Sequence, residues 1–251
     1  MPSERSLRDG FSRMALILAS VVAVIGVGLL SACTLEAPSR PGRDLAPSPS
    51  SQRLTPVTTG SALAALATLP VKGRAPRTGY ARTLFGQAWA DVDHNGCDTR
   101  NDVLRRDLRS YVLKLGTHGC VVLSGTIQDP YLGTTSSFLR GRSSSSLIQI
   151  DHVVPLSDAW QKGAQQWSTV RRTAFANDLL NLLAVDGLTN QRKSDSDAAT
   201  WLPPNKAYRC SYAARQITVK SKYGLWVTGA ERDALGRILA TCPAQTLLTL
   251  T

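Results

Sequence analysis

The chain opens with a largely apolar run from Met14 to Leu30, then passes through Thr34 to about Gly60, where Pro, Ser, Thr and Arg follow one another without period. From Ser61 onward, apolar residues recur at spacings that regular structure requires. Ser61 to Leu69 is rich in Ala and Leu and predicts a short helix that begins the fold. Asp98 to Tyr111 predicts a helix, capped by Asp98 or Thr99, with Val103, Leu104, Leu108 and Tyr111 on one face. Val112–Leu115 and Cys120–Leu123 predict short strands joined by a glycine-containing turn, and Gly133 to Ser146 reads as a Ser/Gly/Arg loop. A strand is expected over Leu147–Asp151, ending in a turn at Pro155, and helices over Asp158–Gln166 and Thr169–Phe175. Asn181–Val185 predicts another strand, Leu188–Asp197 a polar helix and Lys206–Lys222 a further helix. Thr228-Gly-Ala-Glu231 is a capping box that opens a last helix to Thr241. No repeat of roughly 20–50 residues is visible, which sets aside solenoids and propellers.

The N-terminal run carries an address. Arg5, Arg8 and Arg13 precede it, and it ends in Leu30-Ser31-Ala32-Cys33. A basic segment, an apolar segment and small residues before a cleavage point read as a secretory signal. The Leu-Ser-Ala-Cys ending resembles a bacterial lipobox, in which the Cys becomes the lipidated first residue. A plain membrane anchor is the rival reading, because 17 residues lie at the short edge of a spanning helix; an anchor has no need of Cys33. The expectation is therefore a lipoprotein signal over 1–32, a disordered tether over 33–60, a folded domain over 61–243 and a tail over 244–251. The domain would sit as a monomer on the outer face of the cytoplasmic membrane, held by a lipid on Cys33, or be secreted.

Composition narrows the picture. Hydrophobic residues make up 43% of the 251 and charged residues 19%, which argues against wholesale disorder. Lys and Arg number 29 against 18 Asp and Glu, a net charge of +11 that favours anionic partners without choosing among them. Four of the five cysteines remain once Cys33 is set apart: Cys97, Cys120, Cys210 and Cys242. An even set in an oxidising compartment suggests two disulfides, of which Cys97–Cys120 with Cys210–Cys242 is the most local of three pairings. A four-thiolate zinc site is the alternative, and no Cys-x-x-Cys spacing supports it.

Three segments stand in an order that suggests chemistry: Ile150-Asp151-His152-Val153-Val154-Pro155-Leu156, then Asn181-Leu182-Leu183-Ala184-Val185, then Asn190-Gln191-Arg192-Lys193-Ser194-Asp195. They offer a His beside a carboxylate at a strand end, an amide opening a second strand, and a helix with another amide and a Lys. Phosphodiester hydrolysis needs a base to activate water, a divalent ion against the oxyanions and positive charge to hold the strand. Asp151-His152 alone would fit a buried ion pair; the three segments in order are what make the signal specific. Bland readings suffice elsewhere. Asn177-Asp178 reads as a helix-end cap, Trp160 and Trp167 as packing, and Trp201-Leu-Pro-Pro as core followed by a helix stop before Asn205.

This pattern resembles the HNH, or ββα-metal, endonuclease superfamily. The wider context adds Ala159-Trp160, Ala176-Asn177-Asp178 and Trp201-Leu202-Pro203-Pro204-Asn205. It resembles secreted actinobacterial HNH proteins related to the C-terminal domain of GmrSD-type restriction endonucleases, over about Leu69 to Cys242. The resemblance implies an α+β fold, a ββα-metal core elaborated with helices and two disulfides. It implies His152 as general base, Asp151 as metal ligand, Asn190 as the helix residue completing the metal site, and Asn181 as the amide steadying the His loop. Lys193, one turn past Asn190, is expected to face the phosphate or brace the helix, and is counted with Arg100 as a nucleic-acid contact. Asn190 stands where the superfamily name has its final H, and oxygen ligands favour Mg²⁺ or Mn²⁺ over zinc. The expected activity is a largely sequence-nonspecific endonuclease acting on DNA, with RNA as an alternative substrate, outside the membrane and leaving a 5′-phosphate.

Two other classes remain. A non-catalytic basic lipoprotein could bind nucleic acid or anionic wall polymer through charge alone. A calcium-stabilised lipoprotein could use Asp91-Val92-Asp93-His94-Asn95-Gly96 with Asp102, which matches EF-hand spacing. Asp at position twelve, Cys97 at position seven and a helix starting inside the loop speak against calcium.

Overall fold

The computed structural model describes residues 60–249. Cys33, the signal segment and the tether up to residue 59 lie outside them. Among the described residues, five strands form two small antiparallel sheets, with seven α-helices around them.

Helix α1 (Ala62–Thr68) starts where Ser61 Oγ accepts the Ala64 N–H, and it buries Ala62 and Leu66. These pack with Ala213, Ala214 and Ile217 of α6 (Arg209–Tyr223) and with Leu235 and Leu239 of α7 (Gly229–Leu239). The expected capping box opens α7: Thr228 accepts the Glu231 N–H while the Glu231 carboxylate accepts the Thr228 N–H.

Helix α2 (Thr99–Asp107) is shorter than its apolar spacing predicts, because β1 (Leu108–Leu113) begins at Leu108. The helix end is tied down from afar. Asp107 Oδ2 accepts the Ala184 N–H at 2.8 Å, and Arg106 donates to the carbonyls of Leu179 and Leu182. The chain is thereby turned into register with β2 (Val122–Gln128), where Leu108 faces Ile127. A third strand, β3 (Thr135–Leu139), falls in the stretch expected to be loop. Only Phe138 of that strand is buried; the Ser and Thr positions around it carry no strand signal, and pairing with β2 decides the conformation.

The second sheet pairs β4 (Ile148–His152) with β5 (Leu182–Asp186), placing Asp151 opposite Leu183 and His152 opposite Leu182. Helix α5 (Gly187–Lys193) follows β5 without a loop, and Asp186 caps it by accepting the Thr189 N–H. A Cβ on Gly187 would lie 2.3 Å from the Ser146 carbonyl oxygen, so only glycine lets α5 approach the start of β4 this closely. α5 stops at Ser194, whose φ is +52°, four residues short of the expected length to Asp197. Helix α3 (Leu156–Gln161) follows β4; the single helix expected to Gln166 is broken at Gly163, with φ +129°, and resumes as a 3-10 turn at Ala164–Gln166. Helix α4 (Thr169–Ala176) completes the set, capped by Ser168.

The two disulfides have the expected pairing. Cys97–Cys120 joins the start of α2 to the approach to β2, and Cys210–Cys242 joins the start of α6 to the end of α7. No helix among the described residues is long and apolar enough to cross a membrane.

A network of buried charge ties α3, α6 and α7 together. Lys162 Nζ lies 2.6 Å from Asp158, 2.6 Å from Glu231 and 2.8 Å from Asp197, while Lys220 pairs with Asp158 and Glu231. Arg74 pairs with Asp158 and Asp197 from the edge. Burial opposes ionisation of Asp158, yet Lys220 and Lys162 beside it hold its carboxyl below the usual range. Removing one member leaves uncompensated charge in the interior. Lys162→Met should therefore lower stability by about 3–5 kcal/mol, measured by urea unfolding.

Candidate active site

β4 delivers Asp151 and His152 to the floor of a cavity of about 500 Å³, and α5 delivers Asn190 to the same cavity. Asp151 is 5% exposed and is gripped from two directions. The Tyr131 hydroxyl donates to its Oδ2 at 2.5 Å, and Lys193 Nζ donates to its Oδ1 at 3.0 Å. Lys193 also donates to the His152 carbonyl at 2.9 Å. Lys193 has no exposed surface, so it takes the bracing position and presents no ammonium to a strand outside. Burial pushes the Asp151 carboxyl up from its ordinary range, against the opposing pull of Lys193 and Tyr131. Burial likewise keeps the Tyr131 phenol protonated, and the neighbouring Asp151 reinforces this, so the hydroxyl is always a donor.

One hydrogen bond fixes the His152 ring, with Trp89 beside it and Asn181 holding the turn that follows. Its Nε2 lies 2.8 Å from the Ala176 carbonyl oxygen. A carbonyl can only accept, so Nε2 carries the hydrogen and the neutral ring keeps a bare lone pair on Nδ1. The Trp89 ring lies nearly parallel to the imidazole, 17° apart with centroids at 6.5 Å. Asn181 clamps the turn after β4. Its Oδ1 accepts the Val154 N–H at 2.8 Å, its Nδ2 donates to the Val154 carbonyl, and its own carbonyl accepts the Val153 N–H. That is the geometry of a brace for the loop that carries His152.

Asn190 donates Nδ2 to Gln149 Oε1 at 2.9 Å, which turns its Oδ1 away from Gln149 as an available acceptor. Arg100 lines the cavity beside Trp89, its guanidinium 6.0 Å from the ring centroid and within reach of the Ser145 and Ile148 carbonyls. The structure thus brings Asp151, His152, Asn190 and Arg100 to one cavity and sets Asn181 and Lys193 behind it.

Several contributors carry no sequence signal. Tyr131 sits in Asp129-Pro130-Tyr131, which reads as a turn. Asp129 builds that turn by accepting the N–H groups of Tyr131 and Leu132, and its other oxygen accepts the Asp186 N–H at the head of α5. Tyr131 is then wedged edge-on against Trp201 and Tyr212, at 5.0 and 5.8 Å between centroids. Tyr80, Arg82 and Trp89 reach the cavity from a segment with little regular structure. Arg82 has no ion-pair partner among the described residues, and its charge acts on both Asp151 and His152.

The Asp91 loop closes on itself. Asp91 accepts the N–H groups of Asn95 and Gly96, and the Asn95 amide bridges Asp93 and Asp102. No group of three or more Asp, Glu, His or Cys side chains among the described residues is placed to hold an ion. Asn177 and Asp178 serve the end of α4, as expected of caps: Asn177 bonds the Thr173 carbonyl, and Asp178 accepts the Leu180 N–H.

Burial, reinforced by Arg82, lowers the His152 pKa from 6.5 to about 3. Below about pH 6.5 the unfolded chain binds a proton that the folded chain refuses, so stability falls as the pH drops from there toward 3. At pH 5 this one ring should cost about 2 kcal/mol. Urea unfolding at about pH 7.5 and about pH 5 should show that loss in the wild type, and His152→Gln should remove that part of it.

Comparison with known proteins gives the relationship. The family described as GmrSD restriction endonucleases, C-terminal domain, matches residues 98–238, more than half of the chain. A protein of Arthroderma benhamiae called "Uncharacterized secreted protein" is 40% identical over 204 residues, covering 78% of this chain and 91% of the relative. The match begins at the cap of α2 and ends within α7, so it takes in both sheets and every residue on the cavity floor. The chain belongs to the family of GmrSD restriction endonuclease C-terminal domains.

Proposed function

We propose that this protein is a metal-dependent, largely sequence-nonspecific endonuclease of HNH type that hydrolyses DNA outside the cytoplasmic membrane. One observation carries the reading: the His152 imidazole is anchored through Nε2, which leaves the Nδ1 lone pair free to accept a proton at the floor of a cavity shared with Asp151 and Asn190. The antiparallel pairing of β4 with β5, followed at once by α5, supports reading these elements as a ββα core.

His152 accepts a proton from the attacking water; burial keeps its ring neutral at physiological pH and also makes it a weaker base, which an anionic phosphate in the cavity would strengthen by favouring the protonated ring. Trp89 and Asn181 hold its plane and its loop, so the base needs no reorganisation. Arg82 and Arg100 supply positive charge for the phosphate oxygens. Tyr131 and Lys193 fix the Asp151 carboxylate; each oxygen has two lone pairs and gives one to these donors, leaving one free.

The residues fit a hard divalent ion. Asp151 and Asn190 would hold it through oxygen, the donor type that Mg²⁺ and Mn²⁺ prefer. Such ions commonly sit on one or two carboxylates, with waters and substrate phosphates completing the shell, so a small protein donor set suffices. Bound there, the ion would neutralise charge developing on the phosphate and the leaving oxygen. The Lys193 ammonium beside Asp151 adds like charge and argues for weak, substrate-assisted binding.

The secreted relative supports action outside the cell, and a lipid on Cys33 would keep the domain at the membrane. Single-stranded circular DNA and a supercoiled plasmid incubated with the full chain should be nicked with Mg²⁺ or Mn²⁺ and spared with EDTA. His152→Ala should cut the rate by about 10²–10⁴ while leaving DNA affinity nearly unchanged. Absence of nicking with any of Mg²⁺, Mn²⁺, Zn²⁺ or Ca²⁺ would leave a basic binding protein as the reading. The two asparagines should part company. Asn190→Ala raises the metal concentration for half-maximal rate, whereas Asn181→Ala lowers the rate with that concentration little changed.

A further inference from the structure

The groups proposed for chemistry are recessed. His152 is 8% exposed and Asp151 5%, both at the floor of the cavity. A general base works over one hydrogen bond, or over one bridging water. The scissile phosphate must therefore descend into the cavity. A duplex resists this, because its phosphates lie on a stiff rod with a persistence length of about 50 nm and its bases stay stacked within it. A single strand can bend at every nucleotide.

The cavity wall has the chemistry that unpaired nucleotides bind. Two half-buried aromatic rings line it, Tyr80 and Trp89, and each carries a guanidinium: Arg77 lies 5.3 Å from the Tyr80 ring and Arg100 6.0 Å from the Trp89 ring. Arg82 adds a third guanidinium at the same cavity. Alternating aromatic and guanidinium planes stack on bases, and the guanidinium edges pair with phosphate. The rings are held by the core beneath. Tyr80 sits edge-on to Trp160 and Phe85, and Phe85 packs against Phe175 of α4. Trp89 stands beside the imidazole, nearly parallel with centroids 6.5 Å apart, so a base stacking near it would bring its own phosphate to His152.

We infer that the substrate is single-stranded DNA, threaded with one phosphodiester lowered into the cavity and its neighbouring bases splayed onto the Tyr80 and Trp89 platforms. The inference rests on the nuclease reading for the cutting step; the binding preference stands apart from it.

The test uses the full chain carrying His152→Ala for binding and the wild type for cleavage. Fluorescence anisotropy should show at least about tenfold tighter binding to a short oligodeoxynucleotide than to the same sequence annealed to its complement. Trp89→Ala should lose about tenfold in single-strand affinity with duplex affinity unmoved, Trp89→Phe should retain most of it, and Tyr80→Ala should repeat the effect should Trp89→Ala not fold. In a duplex with a central unpaired loop, wild-type cleavage should fall within the loop. Equal or tighter binding of the duplex, with cuts spread along its paired arms, would overturn the inference and leave the nuclease reading standing. Single-strand preference without cleavage in any metal would do the reverse.

Discussion

Everything proposed for the cavity depends on one buried carboxylate. Asp151 is pinned between a phenol that burial holds protonated and an ammonium that has no exposed surface. A carboxylate held by one donor could swing about its terminal torsion; one held on both oxygens cannot. The two donors also recruit the rest of the molecule. Tyr131 brings the β2–β3 turn and the packed rings of Trp201, Tyr208 and Tyr212. Lys193 brings the last turn of α5 and, through the His152 carbonyl, the end of β4. Displacing either donor would loosen a carboxylate, a strand end and a helix together.

The sheets are too small to supply this rigidity alone, for one has two strands and the other three. Two other devices substitute for breadth. Asp129 spends one oxygen on its own turn and the other on the head of α5, so a single side chain ties both sheets' connections together. Beside the site, Lys162 and Lys220 with Asp158 and Glu231 lock three helices around charge that has nowhere to go once water is excluded. Such a network favours one arrangement of helices over its near neighbours, since any shift strands a buried ion.

The sequence was most informative where local chemistry decides the outcome. The helix from Ser61, the capping box at Thr228, the strand carrying Asp151, the strand that begins just after Asn181 and the cysteine pairing all follow from spacing and composition over a few residues, and all appear. It was least informative where distant pairing overrides local preference. Leu108 and Tyr111 fit a helical face yet lie in a strand, because Asp107 and Arg106 are claimed by β5 and its approach. Thr135 to Leu139 has a strand's conformation and a loop's composition. The same division runs through the site. Asp151, His152, Asn181, Asn190 and Lys193 announce themselves by order along the chain. Tyr131, Arg82, Tyr80 and Trp89 are unremarkable in sequence and acquire meaning only when folding brings segments far apart in the chain to one cavity. Lys193 was visible, but its direction was not: whether a lysine faces solvent or a buried carboxylate depends on what lies beneath the helix.

The two disulfides set a clock on the molecule. In loops of 23 and 32 residues, each restricts the unfolded chain by about 3–4 kcal/mol. A domain of ordinary stability has only about 5–15 kcal/mol in total. A newly made chain with reduced thiols therefore stands near the margin of folding, and the cavity acquires its fixed geometry once both sulfur pairs are oxidised. Assembly of the site is thereby tied to the redox state of the chain's surroundings. In reducing surroundings the chain would lack both covalent ties, and the cavity would have only its buried charges and packed rings to hold its shape.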